Sequence, residues 1–251
     1  MTSVEVAIIG GSGFYDLGTP VDLIDVPTPW GSPSALVAIG DVDGRRIAFL
    51  SRHGDGHRLP PHAVDHRANL WALRSLGART VIASFACGSL VSHLAPGQLV
   101  VPDQIIDRTT GRADTIHDSF PDGPQHASFA DPYDAHLRRE AVRAGSRLGE
   151  DVSDGGTVVV INGPRFATRA ESRWYRSMGA DLINMTQYPE AVIARELGLS
   201  YAAVGLVTDF DAGLEDRPEV APVHQDEVFA VFARHLPRLR SVVLATAAAA
   251  P

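Results

Sequence analysis

Arg52 and His53 stand side by side in a polar run, Ser51-Arg52-His53-Gly54-Asp55-Gly56-His57, directly after an apolar segment. A guanidinium can bind two phosphate oxygens at once without losing its charge, so the run suits an oxyanion or else a solvated polar loop. Gly10-Gly11-Ser12-Gly13 follows another apolar segment and offers backbone N–H groups and one hydroxyl to an anion. The spacing G-x-G-x-x-G fails there and no Walker lysine follows, which leaves a phosphate cradle and a plain glycine turn both open. Thr208-Asp209-Phe210-Asp211 places two carboxylates two residues apart, on one side of an extended segment. Such a pair can hold a divalent ion, cap a helix or keep a proton. A carboxyl group kept neutral by burial and a like-charged neighbour can donate to a heterocycle nitrogen while accepting from an amino group. Four histidines (His53, His57, His62 and His66) fall within fourteen residues. Pro60-Pro61 interrupts any helix between them, His-Glu-x-x-His is absent and no cysteine assists, so we expect no metal site.

The elements that must position these residues alternate in type. Val4–Ile9, Arg46–Leu50, Thr80–Ala86, Gln98–Val101, Thr157–Ile161, Asp181–Met185 and Tyr201–Val207 read as strands. His66–Leu76, Asp134–Leu148, Arg169–Met178, Pro189–Leu197 and Asp226–Ala249 read as helices, with Pro237 expected to break or kink the last. The alternation predicts one α/β domain over residues 1–251, with a mixed, largely parallel, twisted central sheet flanked by helices. Ligands of such sheets sit beyond the carboxyl ends of the strands. Ser12, Arg52-His53, Ala86-Cys87-Gly88, Asn184-Met185-Thr186 and Asp209-Phe210-Asp211 all follow or end predicted strands.

Composition excludes several classes of function. The chain has 251 residues, 45% of them hydrophobic, and a formal net charge of -8, which argues against a nucleic-acid partner. No apolar run is long enough to span a membrane, and the N-terminus lacks a signal peptide's basic start. Cys87 is the single cysteine, so no intrachain disulfide forms and a cytoplasmic location is expected; we read it as a buried small hydrophobe.

Several stretches, in one order along nearly the whole chain, resemble the trimeric purine nucleoside phosphorylase and methylthioadenosine phosphorylase family. They are Ile8-Ile9-Gly10-Gly11-Ser12-Gly13, Ala86-Cys87-Gly88-Ser89-Leu90, Asp103-Gln104-Ile105-Ile106-Asp107-Arg108-Thr109, Gly163-Pro164-Arg165-Phe166, Arg169-Ala170-Glu171-Ser172 and Asn184-Met185-Thr186. The resemblance implies a nucleoside phosphorylase-like fold and cleavage of a purine nucleoside, with inorganic phosphate as co-substrate and no metal or organic cofactor. By matching motif, Ser12, Arg52, His53, Ala86 (through its backbone) and Thr186 would hold phosphate, at the end where Phe85 also stands. Met185 would lie against the pentose, and Phe166 against the base, with Gly88 beside it. His126 would reach a neighbouring subunit's ribose in a homotrimer with sites at its interfaces, and His57 would contact the 5′ end.

Asp209 would be the general acid at purine N7, with Asp211 its neighbour. The family branch acting on 6-oxopurines has asparagine at position 209, whereas Thr208-Asp209-Phe210-Asp211 resembles the Thr-Asp-x-Asp of the methylthioadenosine enzymes. Adenine is therefore the expected base and 5′-methylthioadenosine the leading substrate; the alternative is a purine nucleoside phosphorylase acting on 5′-hydroxyl or other 5′-substituted nucleosides. Three positions depart from the pattern. Phe85 replaces a small polar phosphate contact, Asn162 an acidic or amide residue, and Ala167 a serine after Phe166. At the 5′ end, His224 or Gln225 stands where methylthio-specific members have an apolar residue. Phe85 also motivates a rival reading as a binding module without turnover, and the histidines a metal-dependent hydrolase.

Overall fold

A computed structural model of the chain describes residues 4–214 and 221–251. The central strands are β1 (Val6–Gly10), β4 (Arg45–Ser51), β5 (Thr80–Ser89) and β11 (Ser200–Asp209). β1 pairs in parallel with β4 and β5, and β5 in parallel with β11. Beyond β4 the sheet continues through β3 (Val37–Val42) to β2 (Val21–Ile24), both antiparallel. Beyond β5 lie β10 (Leu182–Asn184), β9 (Thr157–Ile161) and β7 (Gln104–Arg108); β6 (Leu99–Val101) and β8 (Val152–Asp154) extend from β11. The mixed, largely parallel sheet expected from sequence is therefore present.

The two faces of each central strand are both apolar because each packs under helices. Ala7 and Ile9 of β1 join one core with Ala48, Leu50, Val81 and Ala203. That core lies under α1 (His66–Ser75) and α4 (Gln187–Glu196), through Leu70, Leu73, Ala191 and Ile193. The alternate residues Val6 and Ile8 join a second core with Ile47, Phe49, Val204 and Leu206. It is covered by α2 (Ala135–Arg147) and α5 (Gln225–Ala249), through Leu137, Phe232, Leu239 and Val243. A strand buried on both faces reads as a continuous apolar run, which is why these strands are visible in the sequence.

Pro237 does not break the last helix: α5 runs from Gln225 to Ala249 with the proline inside it. One backbone hydrogen bond is lost there, and burial of Phe232, Leu239, Val242 and Val243 on either side holds the helix together. α3 (Arg169–Ser177) starts with a capping box, in which Thr168 and Glu171 each accept the other's backbone N–H.

Candidate active site

Two strands occupy one edge of β5 in succession. β1 pairs with residues 80–83, and β10 pairs antiparallel with Gly88 and Ser89. Between them the edge faces a fork, and side chains from both sides of the fork take up its carbonyls. Arg52 Nη1 donates to the Ser84 carbonyl at 2.8 Å and Asn184 Nδ2 to the Ala86 carbonyl at 2.9 Å. The N–H and C=O of one strand residue point the same way, so the Ala86 N–H also faces the fork. Gly11 donates its N–H to Ser84 Oγ at 2.9 Å. A Cβ on Gly11 would lie 2.5 Å from the Ser84 carbonyl oxygen, so only glycine lets this turn approach so closely.

The fork opens into a cavity of about 220 Å³. Ser12, Arg52, His53, Ala86 and Thr186 border it at one end. Arg52 is 1% exposed, and its Nε and Nη2 bind both Glu190 carboxylate oxygens at 2.6 and 2.7 Å. Of a guanidinium's five N–H groups, three are thus donated to Glu190 and Ser84, leaving one on each Nη for the cavity. The bidentate fork suggested for phosphate is spent on Glu190, so Arg52 could offer an oxyanion only its remaining N–H groups and a charge already balanced. Burial opposes the charge of both partners; each overcomes it for the other, so the guanidinium is held above its ordinary pKa and the carboxyl well below. His66, also buried, lies 3.4 Å from Glu190 without a hydrogen bond, and burial pushes its pKa down.

Asp209, Asp211 and Gly88 form the second end with Phe166 and Ala167. Asp209 Oδ1 accepts the Asp211 N–H at 2.7 Å, and Oδ2 lies 2.7 Å from the Thr208 hydroxyl. Burial raises the Asp209 pKa against these two hydrogen bonds, and the charge of Glu227 adds to the rise. Burial also lifts Asp211 to about 6, although Ser172 and a backbone N–H bind it. Asp211 takes a positive φ of 45°, and its Oδ2 has no hydrogen-bond partner. A Cβ on Gly88 would meet Asp209 Oδ1 at 2.8 Å, so glycine makes room for the carboxylate. α3 serves this end: Ser172 binds Asp211, and Arg169 Nη1 donates to the Ala212 carbonyl at 2.9 Å.

His57, Gln225, Val228 and Phe229 border the third end, the last three spaced as one face of α5. Tyr15 Oη lies 3.1 Å from His57 Nδ1, and the His57 ring stacks on His53 at 4.2 Å. Phe166 and Phe229 form an apolar rim, 37% and 46% exposed.

Most of the sequence-derived residues thus meet in one cavity, Met185 included. Four positions need correction or a separate place. Phe85 borders the cavity, but its ring is 1% exposed and packs in the core against Gly205, so residue 85 offers the cavity no polar side chain. His224 does not border the cavity: it is the extended, exposed N-cap residue of α5, and helical geometry turns Gln225 inward instead. Asn162 pairs with Thr110 through both amide atoms, away from the cavity. His126 is exposed, edge-on to Phe120, and does not border this chain's own cavity. Among the described residues no group of three or more metal-ligating side chains converges. Cys87 is buried, and burial raises its thiol pKa well above the ordinary value.

Glu190 and Ser84 were not singled out from sequence, and Thr208 entered only as part of its motif. Glu190 carries a readable signal: a carboxylate inside the helix residues Pro189, Ala191, Ile193 and Ala194, all buried, requires a cation.

Residues 5–248 match the model of the Phosphorylase superfamily. The chain belongs to that superfamily. This phosphorylase is 53% identical to an S-methyl-5′-thioadenosine phosphorylase of Mycolicibacterium smegmatis, over 95% of this chain and 88% of that one. It is 49% identical to a purine nucleoside phosphorylase of Streptomyces coelicolor, over 98% and 89%. A methylthioadenosine phosphorylase from Schistosoma mansoni, solved with adenine, superposes with a TM-score of 0.91 at 39% identity, over 98% of this phosphorylase and 91% of that chain.

Proposed function

We propose that this phosphorylase cleaves 5′-methylthioadenosine with inorganic phosphate, giving adenine and 5-methylthioribose 1-phosphate. The observation that carries the reading is Asp209, a carboxyl group whose pKa is raised by burial and which stands in the cavity beside Gly88 and Phe166. The names of relatives from Mycolicibacterium smegmatis and Mycobacterium tuberculosis support the same substrate.

Breaking the glycosidic bond leaves positive charge on the sugar and negative charge on the purine. Phosphate held by Ser12, His53, the Ala86 N–H and Thr186, with the spare Arg52 N–H groups, lies under the anomeric carbon and attacks it. Positioning and electrostatics supply most of the catalysis. Asp209 gives its proton to N7 of the departing base, and as a carboxyl group it also accepts from the 6-amino group. Met185 lies against the pentose, and the reaction calls for no metal or organic cofactor.

We read the working unit as a cytoplasmic homotrimer, in which His126 of one subunit meets the ribose in the next. The exposed position of His126 outside its own cavity supports this, as do the rim rings Phe166 and Phe229. A second reading, a 5′-hydroxyl nucleoside as substrate, is favoured by Gln225, whose amide can bond a hydroxyl at the third end. A panel of methylthioadenosine, adenosine and inosine, with and without phosphate, tests both by release of free base. Phosphate-independent release would sink phosphorolysis. A preference for adenosine over methylthioadenosine would replace the first reading with the second.

A further inference from the structure

Nδ1 of His53 lies 2.9 Å from the carbonyl oxygen of Leu59. A carbonyl only accepts, so the ring hydrogen sits on Nδ1. Nε2 is then a bare lone pair, and it is the one polar ring atom left for the cavity that His53 borders. The surroundings disfavour a second proton. His53 is 4% exposed, the Arg52 guanidinium adjoins it, the His57 ring stacks on it and His66 of α1 stands nearby. The carboxylate of this neighbourhood, Glu190 of α4, already gives both oxygens to Arg52. Burial first, and then the Arg52 charge, push the His53 pKa down to about 3.

A lone pair facing an oxyanion's lone pair repels it unless a hydrogen lies between them. Ser12, Thr186 and the Ala86 N–H can donate to any oxyanion, so they do not distinguish one from another. His53 does. Resting on the phosphorolytic reading above, we propose that His53 Nε2 accepts the hydrogen of a P–O–H group, so that the site selects oxyanions that bring their own proton. Hydrogen phosphate and hydrogen arsenate qualify; sulfate and fluorophosphate, of like size and charge, do not.

The assignment also fixes which oxygen reacts. The protonated oxygen turns to Nε2, and an unprotonated one faces the anomeric carbon. The new C–O bond forms from that oxygen as the C–N bond breaks, its electron pair going to the purine, which takes the Asp209 proton. The P–O–H hydrogen stays in its bond to His53, and the sugar phosphate leaves with it.

The test uses the full-length enzyme and follows release of free base with phosphate as the varied substrate. Fluorophosphate and sulfate are added as competitors, and arsenate as a replacement. Expected are an arsenate KM close to that of phosphate and inhibition constants for fluorophosphate and sulfate at least about tenfold above the phosphate KM. Between pH 7.5 and 8.5 the gap should widen, because either competitor must draw a proton from solvent while hydrogen phosphate carries its own. In His53→Asn, whose amide can donate, the gap should close to about threefold or less. Fluorophosphate binding as tightly as phosphate to the wild-type enzyme would overturn the assignment, whether or not the variant folds. Base release that does not depend on phosphate would overturn the phosphorolytic reading instead.

Discussion

Arg52 and Gln225 border one cavity and are held there in different ways. The first is 1% exposed, with three N–H groups donated to Glu190 and Ser84; the second lies exposed on the first turn of α5. At the Arg52 end, the residues that follow β1 and β4 and residues of β5, β10 and α4 fix one another by hydrogen bonds of 2.6–2.9 Å, all but one of them buried. At the Gln225 end, one helical face (Gln225, Val228 and the exposed Phe229) and His57 do the work. In the proposed reaction, the groups around the phosphate are therefore held by the core, while Gln225, proposed to meet the 5′ substituent, is held by little else. On that proposal, 5′ specificity can change without cost to the chemistry.

Four measurements can break or sharpen that contrast. Asp209→Asn should lower kcat/KM on adenine nucleosides by about 10²–10⁴, the range for loss of a general acid, and shift preference toward inosine. Unchanged adenine-to-hypoxanthine selectivity would falsify the role of Asp209. Glu190→Gln leaves the Arg52 charge buried and uncompensated, and should cost about 3–5 kcal/mol in denaturant unfolding. A loss below about 1 kcal/mol would show that the buried floor is not as interdependent as drawn.

Asp211 offers a pH test. Its pKa rises from 3.8 to about 6 on folding, so between those values the folded state binds more protons than the unfolded. Stability linked to this group is thus lost as pH rises through that window. Asp211→Asn, which cannot ionise, should gain on wild type by on the order of 2 kcal/mol from pH 4 to pH 7. A constant difference across the window would refute a raised pKa. The smallest effect belongs to the rim. Gln225→Leu should change stability by less than about 0.5 kcal/mol and move the methylthioadenosine-to-adenosine ratio about tenfold toward the thioether. Equal ratios in the two proteins would remove Gln225 from 5′ recognition.

The same contrast explains what could be read in the sequence. β1, β4, β5, β9 and β11 were visible because strands buried on both faces are continuous apolar runs. The outer strands β2, with exposed and half-buried residues, and β7 gave no such run. Ser12, His53 and Asp209 were legible as polar residues at strand ends. Glu190 lies 138 positions from Arg52, and no local spacing joins them. Phe85 was legible as a cavity residue, but strand position alone does not say that Gly205 clears space for its ring. His224 and Gln225 differ by one residue, and only the helix phase of α5 decides which one turns inward.

The fork beside β5 has a mechanical consequence. An unpaired strand edge normally invites another strand, and proteins shield such edges to avoid association. Here Arg52, Asn184 and the glycine turn shield it, and in the proposed complex phosphate docks on the Ala86 N–H as a neighbouring strand would. Ligand would thereby splice two half-sheets whose strands, among the described residues, are joined in pairing only through β5. Oxyanion and nucleoside together should raise the melting temperature more than either alone, and should slow amide exchange first along residues 84–87, where the sheet divides.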